Sequence, residues 1–98
     1  MTRFYRQAEA DLEGIYRYVA ANNEAAAKRT IAAILDSLRV LEAFPAAGRR
    51  RDDLFPGLRA WPTVDYTSFY FVEGGDVAIV RILGGGQNVT GSAIKGVL

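Results

Sequence analysis

The sequence predicts an α+β fold: a two-helix antiparallel hairpin packed on an antiparallel sheet of three or four strands. Two stretches in the first half repeat apolar residues at helical spacing, separated only by Asn22-Asn23. Two strand-type stretches in the second half flank Gly74-Gly75, a two-residue hairpin signal. The last strand is apolar at both parities, the mark of a central strand buried on both faces.

Thr2–Tyr5 reads as a short strand, with Phe4 and Tyr5 suited to a pleated surface. A helix follows from Gln7 to Ala21, its apolar stripe formed by Leu12, Ile15, Tyr16 and Val19. Glu9 and Asp11 stand in its first turn, where the helix dipole favours acids. Asn tolerates a left-handed closing residue and is also a good N-cap, so Asn22-Asn23 ends this helix and starts the next. From Glu24 to Phe44 the stripe is Ala27, Ile31, Ile34, Leu35, Leu38 and Leu41, and Pro45 stops it. So short a link makes the two helices antiparallel neighbours.

Ala46–Gly57 reads as loop and contains Arg49-Arg50-Arg51-Asp52-Asp53. Leu58–Trp61 and Tyr66–Glu73 read as strands, Pro62 placing the first on an edge or ending it. The strand after Gly74-Gly75 carries Val77 and Ile79 on one parity, Val80 and Ile82 on the other. One helical hairpin covers only one face of such a strand. The other face then needs the C-terminal segment, Phe and Tyr side chains, or a second protein. Gly84–Leu98 is weakly patterned: residues 85–98 read as a flexible tail with at most a strand or helix near Ser92–Val97. Residues 1–98 read as a single domain.

Composition narrows the function. The chain has no Cys and no His, which excludes a disulfide framework, a thiolate metal site and the commonest neutral-pH base. Ser68, Ser92 and Tyr66 have no histidine to activate them, so a triad-type hydrolase is excluded. Net charge is +1: residues 1–51 carry nine Lys/Arg against six Asp/Glu, and the remainder three against five. That is a mild dipole rather than the footprint of a dedicated nucleic-acid binder, and no direct sequence-specific nucleic-acid binding is expected. Asp52-Asp53 lacks further ligands, and Gly84–Gly86 fits neither nucleotide-binding fingerprint, so no metal or cofactor is expected. No apolar run approaches the roughly 20 residues that span a bilayer. A cytoplasmic protein without membrane contact is the expectation.

Several segments in order resemble the RelE/ParE superfamily of type II toxin–antitoxin toxins. Ala8-x-x-Asp11-Leu12-x-x-Ile15-x-x-Tyr18-Val19-Ala20 is similar to the first helix, and Phe44-Pro45-x-x-Gly48-Arg49 to the end of the second. Gly57-Leu58-Arg59, Tyr66-x-x-Phe69-Tyr70-x-Val72 and Val80-Arg81-Ile82-Leu83 follow its strand signatures. The resemblance covers residues 4–88 and is closer to the ParE branch, which implies a bacterial toxin that inhibits DNA gyrase by binding. Thr67 stands where the RNA-cleaving RelE branch places an arginine, and Gly85-Gly86-Gln87 where its C-terminal basic residues fall. The ParE branch commonly continues His-Gly-Arg/Ala-Arg/Gln-Asp/Asn after the last strand. Here it reads Gly84-Gly85-Gly86-Gln87-Asn88, and Phe71 also replaces a usual arginine.

The resemblance implies a cognate antitoxin whose disordered C-terminal tail folds onto the toxin as a hetero-oligomer. Candidate antitoxin contacts are Leu12, Tyr16, Leu38, Trp61 and Tyr70. Candidate target contacts are Arg49, Arg50, Arg51, Arg59, Arg81, Gly84, Gly85, Gly86, Gln87 and Asn88. Arg49–Arg51 either meet an acidic partner or form a solvated loop half neutralised by Asp52 and Asp53. Arg59 and Arg81 either pair internally or open onto a functional surface. A ribosome-dependent RelE-type endonuclease and a degenerate, non-toxic antitoxin binder stand as alternatives.

Overall fold

Two helices lie across one face of a five-stranded sheet in the computed structural model, which describes residues 1–85, 87 and 89–98. The strands are β1 (Thr2–Phe4), β2 (Arg49–Arg50), β3 (Arg59–Thr63), β4 (Tyr66–Glu73) and β5 (Asp76–Gly84), in the order β1-β5-β4-β3-β2. The sheet has one or two strands more than expected and is not wholly antiparallel. β1 runs parallel to β5, and Arg49–Arg50, read as loop, pairs with Arg59 and Ala60. Two residues are too few to show any alternation in a sequence. Pro62 lies in β3 beyond the reach of β2, where a missing N–H costs no ladder bond.

Helix α1 (Arg6–Ala20) starts without a side-chain cap. The sheet fixes its start instead, because the Tyr5 N–H donates to the Ile79 carbonyl at 2.8 Å. Helix α2 (Glu24–Ala43) has the expected cap, the Asn23 side chain accepting from the Ala26 N–H at 3.0 Å. Ala27, Ile34, Leu38 and Leu41 form its buried stripe, whereas Leu35 is 41% exposed on the outer side. The indole N–H of Trp61 donates to the Ser37 carbonyl at 3.0 Å and ties α2 to β3.

The core has two layers. On the helix side Ala8, Ile34, Leu38 and Leu41 meet Tyr70, Val77, Ile79 and Ile82. On the other side Leu58, Ala60, Phe69, Val80 and Leu83 meet Ile94. Each large aliphatic side chain buried in these layers stabilises the fold by about 1.5–3 kcal/mol. The second face is closed by two of the three expected devices: the C-terminal segment and aromatic side chains. Helix α3 (Gly91–Lys95) brings in Ile94, and Phe55 meets Phe71 edge to face at 5.8 Å. Of the strand or helix expected near Ser92–Val97, the structure has the helix, capped by Thr90 accepting from the Ala93 N–H at 3.2 Å. Gly91 permits the close crossing, since a Cβ there would sit 2.8 Å from the Leu54 carbonyl oxygen.

A bulge explains why β5 is apolar at both parities. Phe69 faces Arg81 while Tyr70 faces Ile79, leaving Val80 as the extra residue. The phase of the strand shifts there. Val77, Ile79 and Ile82 all reach the helix side, and Val80 and Leu83 the other.

Candidate interaction surface

The β3–β4 turn and the exit of β5 meet at one end of the sheet, where Tyr66 pairs with Gly84. Beyond that pair the Gly85 N–H donates to the Asp65 carbonyl at 2.7 Å, joining the β5 exit to the turn. The Gln87 side chain folds back to accept from the Gly84 N–H at 2.7 Å. Gly86 and Asn88, expected with these residues at the target contact, lie outside the described residues.

Between this tip and α1 runs an open cleft of about 520 Å³, lined among others by Gly14, Ile15, Tyr18, Tyr66 and Leu83. Gly14 leaves one wall bare, with nothing within 4 Å of where a Cβ would stand. A second cleft of about 490 Å³ lies between α2 and the β3–β4 turn and shares Tyr18 and Tyr66 with the first. Tyr18 and Val64, at the rims, are 78% and 87% exposed. Sequence reading missed both. Tyr18 carried a signal, an aromatic outside the apolar stripe of an amphipathic helix; Val64 carried none.

Arg81 and Asp11 also line the first cleft, paired with each other. The Arg81 Nε and Nη2 donate to the Asp11 carboxylate at 2.9 and 3.2 Å, and the two side chains are only 18% and 9% exposed. The Asp11 carboxylate also accepts from the Ile82 N–H, which lies beside the bulge, at 2.9 Å. Of the two readings left open for Arg81, its geometry is that of internal pairing.

The other candidate arginines, Arg49, Arg50, Arg51 and Arg59, gather at the start of β3. That strand's last residue, Thr63, lies about 13 Å away at the usual rise per residue. Arg50 and Arg51 each form a two-bond pair with the aspartate two residues on, Asp52 and Asp53. The Asp52 carboxyl is pulled down to about 2, first by the Arg50 hydrogen bond and next by the Gly57 N–H. Asp53 is likewise lowered, chiefly by Arg51. Arg59 donates to the Ala46 and Gly48 carbonyls at 3.1 and 2.8 Å, and Arg49 is exposed on β2. Among the described residues, the sequence-predicted target contacts other than Arg81 thus form two separate groups, a basic corner and a glycine tip.

The five candidate antitoxin contacts also divide. Leu12, Tyr16 and Trp61 are half-buried at the margins of the helix hairpin. Leu38 and Tyr70 are core residues, 3% and 0% exposed, and offer no surface in this conformation. Leu38 lies on the α2 stripe that faces the sheet, and the Tyr70 hydroxyl is held between the Pro45 carbonyl and the Gly48 N–H. The apolar groups that α2 turns outward are Leu35, Val40 and, just past its end, Phe44. Among the described residues no helix is long and apolar enough to cross a membrane, and no group of three His, Cys, Asp or Glu gathers as a metal site would.

Comparison with known proteins covers most of the chain. The family model for the ParE toxin of the type II toxin–antitoxin system, parDE, matches residues 2–89. Toxin ParE3 of Caulobacter vibrioides is 38% identical over 85 residues, spanning 86% of this chain and 85% of that protein. A solved chain of the chromosomal ParDE TA system from P. aeruginosa superposes with a TM-score of 0.72 at 26% identity, covering 85% of this chain and 92% of that one.

Proposed function

This chain belongs to the ParE toxin family of type II toxin–antitoxin systems, and we propose that it inhibits DNA gyrase by protein–protein binding and is neutralised by a cognate antitoxin. The observation that carries this reading is the make-up of the exposed end. Tyr18, Val64, Tyr66 and Gly84 line open clefts, and Arg81, which also lines the first, is paired there with Asp11. Such a surface suits docking against another protein, where aromatic and apolar groups anchor contact. It offers little to acid–base chemistry, because the chain has no histidine, and Thr67 stands on β4 where the resemblance to the RelE branch would place an arginine.

An antitoxin partner is supported by likeness to a solved toxin–antitoxin system. Its tail fits the half-buried margin at Leu12, Tyr16 and Trp61 and the outward apolar groups of α2.

The test is a supercoiling assay with purified chain and bacterial DNA gyrase. Inhibition is expected, and it should be reversed by adding the cognate antitoxin. Supercoiling that proceeds unchanged, together with cleavage of messenger on translating ribosomes, would instead place the chain with the nucleases. No effect in either assay, with antitoxin binding intact, would identify a degenerate member.

A further inference from the structure

The turn between β3 and β4 holds a valine where the backbone geometry suits glycine. Val64 and Asp65 alone join Thr63 to its cross-strand partner Tyr66. Val64 has φ 53°, the one positive value on a non-glycine among the described residues. A positive φ at the first central position only is the type II′ pattern, which takes Gly there. A β-branched side chain is among the worst choices for that region. The β4–β5 turn solves the same problem in the ordinary way, with φ 60° and 84° on Gly74 and Gly75. The Val64 side chain is 87% exposed, so packing within its own fold does not offset the strain. Local strain without an internal contact to justify it directs attention to an external one.

We propose that Val64 is an apolar anchor that inserts into a pocket on the toxin's protein target, with Tyr18 as its aromatic flank; the target's identity rests on the gyrase reading above. Three observations converge on that position. The turn is joined to the glycine tip by the Gly85 N–H to Asp65 carbonyl bond. Val64 rims one cleft, and Tyr18 and Tyr66 form the wall between that cleft and its neighbour. Tyr18 is 78% exposed beside it, and tyrosine is a residue type that concentrates binding energy at interfaces. A protein partner fits better than nucleic acid. The knob is aliphatic and adjoins Asp65, Arg29 is the cation lining the cleft beside it, and Arg49, Arg50 and Arg59 stand at the other end of β3. Phosphates would call for the reverse arrangement.

Val64→Gly and Val64→Thr in the full chain test the proposal. The glycine variant removes knob and strain together. Its Tm should rise by about 4–8 °C, the shift for roughly 1 kcal/mol in a domain of this size. Its gyrase inhibition should weaken about tenfold, the loss expected when a valine side chain buried on binding is removed. The threonine variant keeps the branching and the strained turn but makes the knob polar, so Tm should hold while inhibition falls. Binding to the cognate antitoxin should stay unchanged in both. Full inhibition by both variants would overturn the proposal, as would a lowered Tm in the glycine variant. So would weakened binding to the antitoxin with inhibition intact, or weakened binding to a duplex oligonucleotide. Growth arrest on expression provides a readout independent of target identity. If the wild-type chain arrests growth without touching gyrase, the gyrase reading fails, yet the anchor stands when the glycine variant no longer arrests. A wild-type chain that neither arrests growth nor inhibits gyrase would overturn both.

Discussion

The Asp11 carboxylate on α1 receives Nε and Nη2 of Arg81 and also the backbone N–H of Ile82, next to the bulge at Val80. Gln7 adds a further bond at 3.0 Å. One side chain thus neutralises a guanidinium and serves a backbone donor that lies beside an irregularity in the ladder. It also fixes the distance between α1 and the strand that leads to the glycine tip. Asp11→Ala leaves a largely buried cation and a bare N–H. It should destabilise the fold by about 3 kcal/mol, the range for breaking a buried pair by removing one partner. Asp11→Asn keeps an acceptor for Ile82 and should lose less. Urea unfolding of the two variants checks this, and equal losses would show that the backbone bond is unimportant.

Tyr70 makes a comparable stitch at the sheet centre. Its hydroxyl donates to the Pro45 carbonyl at 2.7 Å and accepts from the Gly48 N–H at 2.9 Å, and burial pushes its pKa up. Tyr70→Phe keeps the ring but leaves both groups unpaired and should cost about 1–3 kcal/mol. Gly48→Ala should cost more, because a Cβ there would stand 2.5 Å from the Tyr70 hydroxyl oxygen. Thermal unfolding of both variants gives the ranking, and a harmless Gly48→Ala would contradict it.

The second face of the sheet depends on α3. Ile94→Ala should lower stability by about 2–5 kcal/mol, as for other fully buried aliphatic truncations. Deleting residues 90–98 should uncover Leu58, Phe69, Val80 and Leu83 and raise binding of a hydrophobic dye. Unchanged dye binding by the truncated chain would show that the loop aromatics alone close that face.

At the basic corner, Asp52 titrates at about 2 in the folded chain against an ordinary 3.8, because Arg50 and the Gly57 N–H favour its charged form. A depressed carboxylate stabilises the fold above its ordinary value, and that contribution is lost as pH falls toward about 2. Asp52 is on the surface, so the effect is local: the Gly57 amide resonance should shift in this window. Arg50→Gln should move the carboxyl midpoint upward in carbon-detected NMR titrations. A midpoint that stays put would assign the depression to Gly57 instead.

Much of the fold was legible because specific residues carry it. Gly74-Gly75 supplied the two positive φ values of its turn, Asn23 its cap, and Pro45 the end of α2. The β3–β4 turn was not legible, since Val64-Asp65 shows no glycine or asparagine at the position that needs one. Apolar residues at both parities of β5 gave its burial but concealed the bulge, which depends on a partner strand and on Asp11, 71 residues before Ile82. The site was harder still. Leu38 and Tyr70 look alike as candidate contacts or core, and only the packing of α2 against the sheet assigns them to the interior. Arg81 had two open readings until its distant carboxylate was located.

The most direct test of the central claim is the stoichiometry of inhibition. A toxin that works by holding its target should block supercoiling in proportion to the gyrase present, with the end point moving as gyrase concentration is raised and the effect undone by antitoxin. Complete loss of gyrase activity at a small fraction of one chain per enzyme, persisting after antitoxin is added, would mark a catalyst and contradict the account.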